Sequence, residues 1–141
     1  MNLDRITSSR REKRLLQIAV ALAGTVPVAA GMAGVVFGEV FVGDLANISS
    51  DSHFRYLSGI LLAVGLAFWS SIPRIEMHAL RYGLLTLLVF TGGLARLAAI
   101  PTMGTPNGGM LFGLAMELAV TPILCLWQFR VARRAGARGP L

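Results

Sequence analysis

The sequence is poor in charge and almost devoid of cysteine. Only 14% of its 141 residues are charged, whereas 55% are hydrophobic, which leaves too few polar side chains to cover a soluble domain of this size. Cys125 is the one cysteine, so this sequence can form no intramolecular disulfide and has no paired thiols for a zinc or redox motif. We expect Cys125 to be an apolar packing residue inside a helix, and a membrane to be the solvent of the chain.

Basic residues outnumber acidic ones and give a net charge of +6, a balance that also occurs in nucleic-acid-binding proteins. Here the arginines gather at the two ends and beside apolar runs, without interleaved aromatic residues. A protein that reads nucleic acid carries its charge along one exposed face instead. The sequence therefore excludes nucleic acid as a partner.

Long apolar runs dominate the rest of the sequence. A helix needs about 20 apolar residues to cross a bilayer, and the first run is too long for the apolar part of a cleaved signal peptide, which has about 7 to 15 residues. The fold expected is all-α, an integral membrane four-helix bundle over residues 15–134, between a basic N-terminal arm at 1–14 and a flexible tail at 135–141. The four predicted spans are 15–37, 55–72, 80–100 and 110–129.

The distribution of arginine and lysine predicts the orientation of these spans. Short segments rich in these residues stay in the cytoplasm. Basic residues crowd the N-terminal arm and the tail and recur at Arg74 in the middle turn, whereas the first connection carries Glu39, Asp44 and Asp51 with Arg55. Both termini are therefore predicted to be cytoplasmic, and the protein is predicted to lie in the inner membrane of a bacterium as a multi-pass protein.

Small residues predict where the helices touch, because close backbone approach supplies most of the packing energy inside a bilayer. We expect the glycine faces of the first and fourth spans to be buried. Gly92 and Gly93 either pack in the same way or loosen the third span. Pro122 removes a backbone donor and predicts a kink in the fourth span. The glycines concerned are Gly24, Gly31, Gly34, Gly38, Gly109 and Gly113.

Two ionisable residues lie where the hydrocarbon core is expected, Arg96 in the third predicted span and Glu117 in the fourth. Each costs about 2.5 to 3.5 kcal/mol or more at a helix centre if it is alone. Side chains lean toward the N-terminus of their helix, so on antiparallel helices these two lean toward each other, and we expect an ion pair. The pair either fixes helix register or belongs to an outward-facing polar pocket, whose predicted ligand-binding residues are Arg96, Glu117, Arg55 and Glu39.

Other polar residues give weaker indications of a function. His53 lies among the acids of the first connection, but the ligand spacing of a metal site is missing. Thr91 and Thr121 are expected to bond to backbone carbonyls of their own helices. No metal, cofactor or catalytic residue is predicted.

Several stretches together resemble a bacterial family of small four-helix membrane proteins classed as a domain of unknown function. The resemblance implies a four-helix membrane fold with Arg55, Arg96 and Glu117 at characteristic polar positions, and it implies no reaction or ligand. The general layout is also similar to DoxX-like membrane proteins, which are linked to redox or assembly roles. The stretches that carry the first resemblance are His53–Gly59, Ile72–Glu76, Phe90–Leu97 and Glu117–Gln128.

Three functions are consistent with this sequence. The first is binding of a membrane lipid or another small ligand with a polar head at the pocket of Arg96 and Glu117. The second is an accessory or assembly subunit, which packs its glycine faces against a larger membrane complex or against copies of itself. The third is a membrane enzyme, which ranks last because the sequence shows no nucleophile, metal set or cofactor motif.

Overall fold

The computed structural model describes residues 3–42, 47–104 and 106–136, and every regular element in this part of the chain is helical. The predicted all-α fold is therefore confirmed. We number the long helices α1 (Leu3–Phe37), α2 (Ile48–Ser70), α3 (Ala79–Met103) and α4 (Gly108–Gly136). A short 3-10 helix, Gly38–Val42, follows α1, and another, Ile75–Met77, precedes α3.

The helices extend beyond the predicted spans at several ends. Helix α1 already begins at Leu3, within the predicted arm, where arginine, lysine and glutamate are good helix formers. Helix α4 continues to Gly136, and Arg133 and Arg134 in its last turn suit the negative end of the helix dipole. The helix thus includes Ala135 and Gly136, the first two residues of the predicted flexible tail, and residues 137–141 lie outside the described part.

Asparagine caps set the beginnings of α2 and α4. The side-chain oxygen of Asn47 accepts hydrogen bonds from the backbone N–H groups of Ser49 and Ser50, at 3.1 and 3.0 Å. The side-chain oxygen of Asn107 accepts one from Met110, at 3.0 Å. Such caps satisfy donors that have no partner inside the helix. Helix α2 therefore starts in a segment that was predicted to be a loop.

The chain forms two compact units, residues 20–70 and residues 1–19 with 71–141. In the unit of residues 20–70, the second part of α1 packs on α2 through glycine. A Cβ atom at Gly31 would lie 2.6 Å from the backbone nitrogen of Leu62, and one at Gly65 would lie 2.8 Å from a methyl group of Val28. The expectation of a buried glycine face on the first span is confirmed, because Gly24, Gly31 and Gly34 of α1 and Gly38 just after it are all buried.

In the other unit, α3 and α4 run antiparallel. A Cβ atom at Gly83 would lie 3.3 Å from the ring of Phe129, and one at Gly93 would lie 2.9 Å from the Cβ atom of Glu117, so rising numbers on α3 meet falling numbers on α4. The core holds Cys125, as expected. Its most buried side chains, apart from polar ones discussed below, are Leu16, Ile75 and Tyr82.

Three helical stretches in the described residues are long and apolar enough to cross a membrane: Thr7–Phe41, Ala79–Thr102 and Gly108–Gly136. Helix α2 is not among them, since its first turns are polar. Large aliphatic side chains are exposed along α3 and α4, Leu87, Leu88 and Leu126 among them. An apolar exterior of this kind is what contact with lipid requires.

Candidate functional site

The site of interest lies where α3 crosses α4. Gly93 of α3 has no side chain to keep the helices apart, and an added Cβ atom would lie 2.8 Å from the side chain of Leu118. Gly113 of α4 leaves room in the same way, because a Cβ atom there would lie 3.0 Å from Nη1 of Arg96. The two glycines thus let charged side chains lie between helices in close contact.

The predicted ion pair between Arg96 and Glu117 is confirmed at this crossing. Nη2 of Arg96 lies 3.3 Å from Oε1 of Glu117. The side chain of Glu117 is 15% exposed and that of Arg96 is 34% exposed, so the carboxylate is enclosed while part of the guanidinium stays accessible. Pairing lowers the cost that each charge would meet alone in an apolar surrounding.

The pair leaves hydrogen-bonding capacity unused. Oε2 of Glu117 is buried and has no hydrogen-bond partner among the described residues. Among the described residues, Nη1 of Arg96 donates to the sulfur of Met110, at 3.9 Å, and a thioether is a weak acceptor. A guanidinium carries several N–H donors in a fixed fork. The site therefore offers donors on one side and a buried acceptor on the other.

Glu117 lies on a π-helical turn, Met116–Val120, in the middle of α4. The backbone N–H and the hydroxyl of Thr121 both donate to the carbonyl of Met116, the hydroxyl at 2.8 Å, which confirms the expected threonine bond. Pro122 follows directly and cannot donate to the preceding turn. The wider turn accommodates this proline, and turns of this type occur frequently at functional sites. Sequence reasoning expected a kink here and missed the π turn.

Arg55 and Glu39 lie in the unit of residues 20–70, where each has local partners. Nη1 of Arg55 donates to the carbonyls of Val35 and Val36 at the end of α1, at 2.7 and 3.1 Å. Nε of Arg55 donates to Asp51, at 2.7 Å. These bonds satisfy carbonyls that a helix end leaves free. The convergence of Arg55 and Glu39 with Arg96 and Glu117 on one pocket stays a prediction.

Asp51 completes this second cluster. Its Oδ1 accepts the backbone N–H of Glu39, at 2.9 Å, and Oε1 of Glu39 accepts the hydroxyl of Ser50. The hydrogen bond from Arg55, followed by the bond from the backbone of Glu39, holds the pKa of Asp51 below its usual value. Gly38, at φ +65°, makes the turn that brings these groups together, and that conformation favours glycine.

The model of a protein family described as a domain of unknown function, DUF4345, matches residues 15–128, which is most of the chain. The chain belongs to the DUF4345 family. No curated protein and no solved structure matches it. The DUF4345 match includes α2, α3 and the π turn of α4, and thus all the residues of both clusters. A bacterial origin and the DoxX likeness stay predictions.

Sequence reasoning missed a polar cluster around the short helix Ile75–Met77. Gln128 is fully buried, and its Nε2 donates to the carbonyl of Ile75, at 2.7 Å. Nε2 of Gln17 donates to the carbonyl of Ile72, also at 2.7 Å. A glutamine inside an apolar run is the signal that marks such a residue, because a buried amide needs a partner.

Ion pairs also join α1 to Glu76 and to α4 within the unit of residues 1–19 and 71–141. Nζ of Lys13 lies 2.7 Å from Oε1 of Glu76, and Glu12 pairs with Arg130 and Arg134. Burial tends to raise the pKa of Glu76, but the hydrogen bond from Lys13 and further favourable contacts outweigh it, so that the pKa lies below its usual value.

Metal binding gains no support in the described residues. No group of three or more His, Cys, Asp or Glu side chains there could hold an ion. His53 stacks on Tyr56 with ring centroids 6.5 Å apart, and Asp44, which was considered with it, lies outside the described part.

Of the glycines expected to be buried on α4, Gly109 is exposed, so that expectation was wrong there.

Proposed function

We propose that this DUF4345 protein spans the bacterial inner membrane four times, with both termini in the cytoplasm. Three helical stretches have the length and apolarity of spans. Helix α2 has 23 residues, about 35 Å at a rise of about 1.5 Å per residue, which is enough for a hydrocarbon core about 30 Å thick. The concentration of arginine in the arm, the middle turn and the end of α4 supports the orientation.

We further propose that the protein binds a lipid or a small ligand with a polar head at Arg96 and Glu117, on the outer side of the membrane. One observation carries this proposal: the buried Oε2 of Glu117 has no partner, although a partly exposed guanidinium lies beside it. Each unpaired buried group costs about 1 to 3 kcal/mol or more, so a ligand donor that reaches Oε2 would recover this cost. The Oε2 atoms of Glu39 and Glu76 are buried and have no partner among the described residues either, and what distinguishes Glu117 is the neighbouring guanidinium with unused donors.

The chemistry of the site defines the kind of head group. The accessible donors of Arg96 suit a phosphate or carboxylate, which guanidinium binds in a bidentate manner. Oε2 of Glu117 suits a hydroxyl or ammonium donor on the same ligand. A head group that combines an anionic oxygen with a neighbouring donor would therefore satisfy both residues at once.

Native mass spectrometry of the protein purified in mild detergent tests this proposal. The wild type should retain a lipid-sized molecule, and Arg96→Gln and Glu117→Gln should lose it. Gly92→Ala is the matched control, because Gly92 is exposed on the same helix and a Cβ atom there meets nothing within 4 Å. Equal retention in all variants would overturn the proposal, and co-purification with other membrane proteins in a fixed ratio would favour an accessory subunit instead.

A further inference from the structure

Another polar site lies between the C-terminal end of α4 and the first turns of α1. A groove of about 570 Å³ opens there, in the unit that contains both segments. Its lining residues combine three guanidiniums, one carboxylate and two hydroxyls: Thr7, Ser8, Arg11, Glu12, Leu15, Arg130 and Arg134.

Charge in this groove is only partly compensated. Glu12 pairs with Nε of Arg130, at 3.3 Å, and with Nη1 of Arg134. Among the described residues that line the groove, three guanidiniums thus face a single carboxylate, which leaves a surplus of two positive charges there. The side chains of Arg130 and Arg134 remain 63% and 46% exposed. Lys13 does not contribute, because it is paired with Glu76.

Glu12 also orders the groove. Its enclosed carboxylate, 18% exposed, holds the two arginines of α4 next to Arg11 of α1. Holding long side chains in place before a ligand arrives reduces the entropy lost on binding. The remaining N–H donors of both guanidiniums stay available, since the carboxylate uses only one nitrogen of each.

Apolar surface continues from the groove toward the middle of α4. Leu15, Leu126 and Phe129 are all exposed, and a second depression joins Leu126 and Phe129 to Arg130, Arg133 and Arg134. This part of α4 belongs to a stretch with the apolarity of a membrane span. The combination of clustered guanidiniums with adjoining exposed hydrocarbon matches a molecule that has an anionic head and acyl chains.

We propose that this groove binds one anionic phospholipid, with its phosphate held by Arg11, Arg130 and Arg134 and its acyl chains lying against Leu126 and Phe129. The lipid would fasten the start of α1 to the end of α4, since its phosphate contacts arginines of both helices. This site is independent of the pair formed by Arg96 on α3 and Glu117 in the middle of α4.

Titration of the purified full-length protein with short-chain phosphatidylglycerol, followed by native mass spectrometry, tests the proposal. Phosphatidylcholine of the same chain length should bind far more weakly, and inorganic phosphate at equal concentration should not displace the lipid because it lacks acyl chains. Each arginine near an anionic head is worth about fivefold in affinity. Arg11→Gln and Arg134→Gln should therefore each weaken binding about fivefold, and the double variant about twenty-five-fold.

Arg74→Gln is the matched control. Arg74 is exposed in the turn before α3, outside the groove, and its replacement removes the same charge. It should change the affinity for phosphatidylglycerol less than twofold. Equal weakening by Arg74→Gln, equal binding of phosphatidylcholine or displacement by inorganic phosphate would each overturn the proposal. If the double variant does not fold, the two single variants decide the question.

Discussion

Gly93 of α3 lies against Glu117 of α4 where the two helices cross, and a Cβ atom on Gly93 would lie 2.9 Å from the Cβ atom of Glu117. The ion pair of Glu117 with Arg96 depends on this approach. Small residues at helix crossings supply the close packing on which association in membranes depends.

Gly93→Ala should therefore destabilise the protein by about 1 to 3 kcal/mol, the usual cost of overpacking a close contact. Unfolding by SDS in mixed micelles measures this loss. Gly92→Ala is the neighbouring control and should be neutral or slightly stabilising, because alanine favours helix more than glycine does. Similar losses of stability in both variants would show that the loss does not come from close contact at the helix crossing.

Arg96→Ala and Glu117→Ala should each destabilise the fold, because each leaves an unpaired charge in an apolar surrounding. The double variant should lose less than the sum of the two, with a coupling free energy of about 0.5 to 3 kcal/mol. The same unfolding assay completes this double-mutant cycle. Strictly additive losses would mean that the two charges do not support each other.

Gln128→Leu should destabilise the protein by about 1 to 3 kcal/mol, because the carbonyl of Ile75 would lose its partner in a fully buried place. Gln17→Leu should cost less, since Gln17 is only half-buried and water can replace its bond to Ile72. Hydrogen exchange around Ile75–Met77 should rise more in the first variant. The reverse order would contradict the role assigned to Gln128.

Stability should fall in acid through Glu76. Its pKa in the folded protein lies below the ordinary value of about 4.5, so the contribution of its pair with Lys13 is complete above about pH 4.5 and is lost as the pH falls through the lower folded-state value. Melting temperatures measured from pH 7 downward should drop less steeply for Glu76→Gln than for the wild type. The pKa of Asp51 is also lowered, so the melting temperature of Asp51→Asn should drop less steeply in acid as well. Parallel curves for wild type and variants would refute the assignment.

The sequence could predict the long helices because length and apolarity determine them. It also predicted the contact of Arg96 with Glu117, because the tilt of side chains on antiparallel helices follows from geometry alone. The start of α2 was missed because a single hydrogen-bonding oxygen, that of Asn47, decides it. The π turn was missed as well, since Pro122 allows either a kink or a wider turn, and packing against α3 is not visible in the sequence.

The local role of Arg55 was equally hidden. An arginine at the outer end of a predicted span suits a ligand pocket and a helix cap equally well. Only the three-dimensional placement of the carbonyls of Val35 and Val36 distinguishes these roles. The glutamines gave a readable signal, because an amide within an apolar run requires a partner. Those partners are the carbonyl of Ile75 for Gln128 and the carbonyl of Ile72 for Gln17.

The π turn of α4 has a consequence for how insertions and deletions act on this protein. A turn of this kind holds one residue more than an ordinary helical turn. Deleting Ala119 would turn this stretch into an ordinary helical turn and would leave the segments on both sides close to their present orientation, because the wider turn absorbs the extra residue. Gly113 would still lie beside the guanidinium of Arg96. The turn thus allows the loss of one residue without separating the two charges, whereas a deletion in a regular helix rotates the adjoining segment by about 100° about its axis.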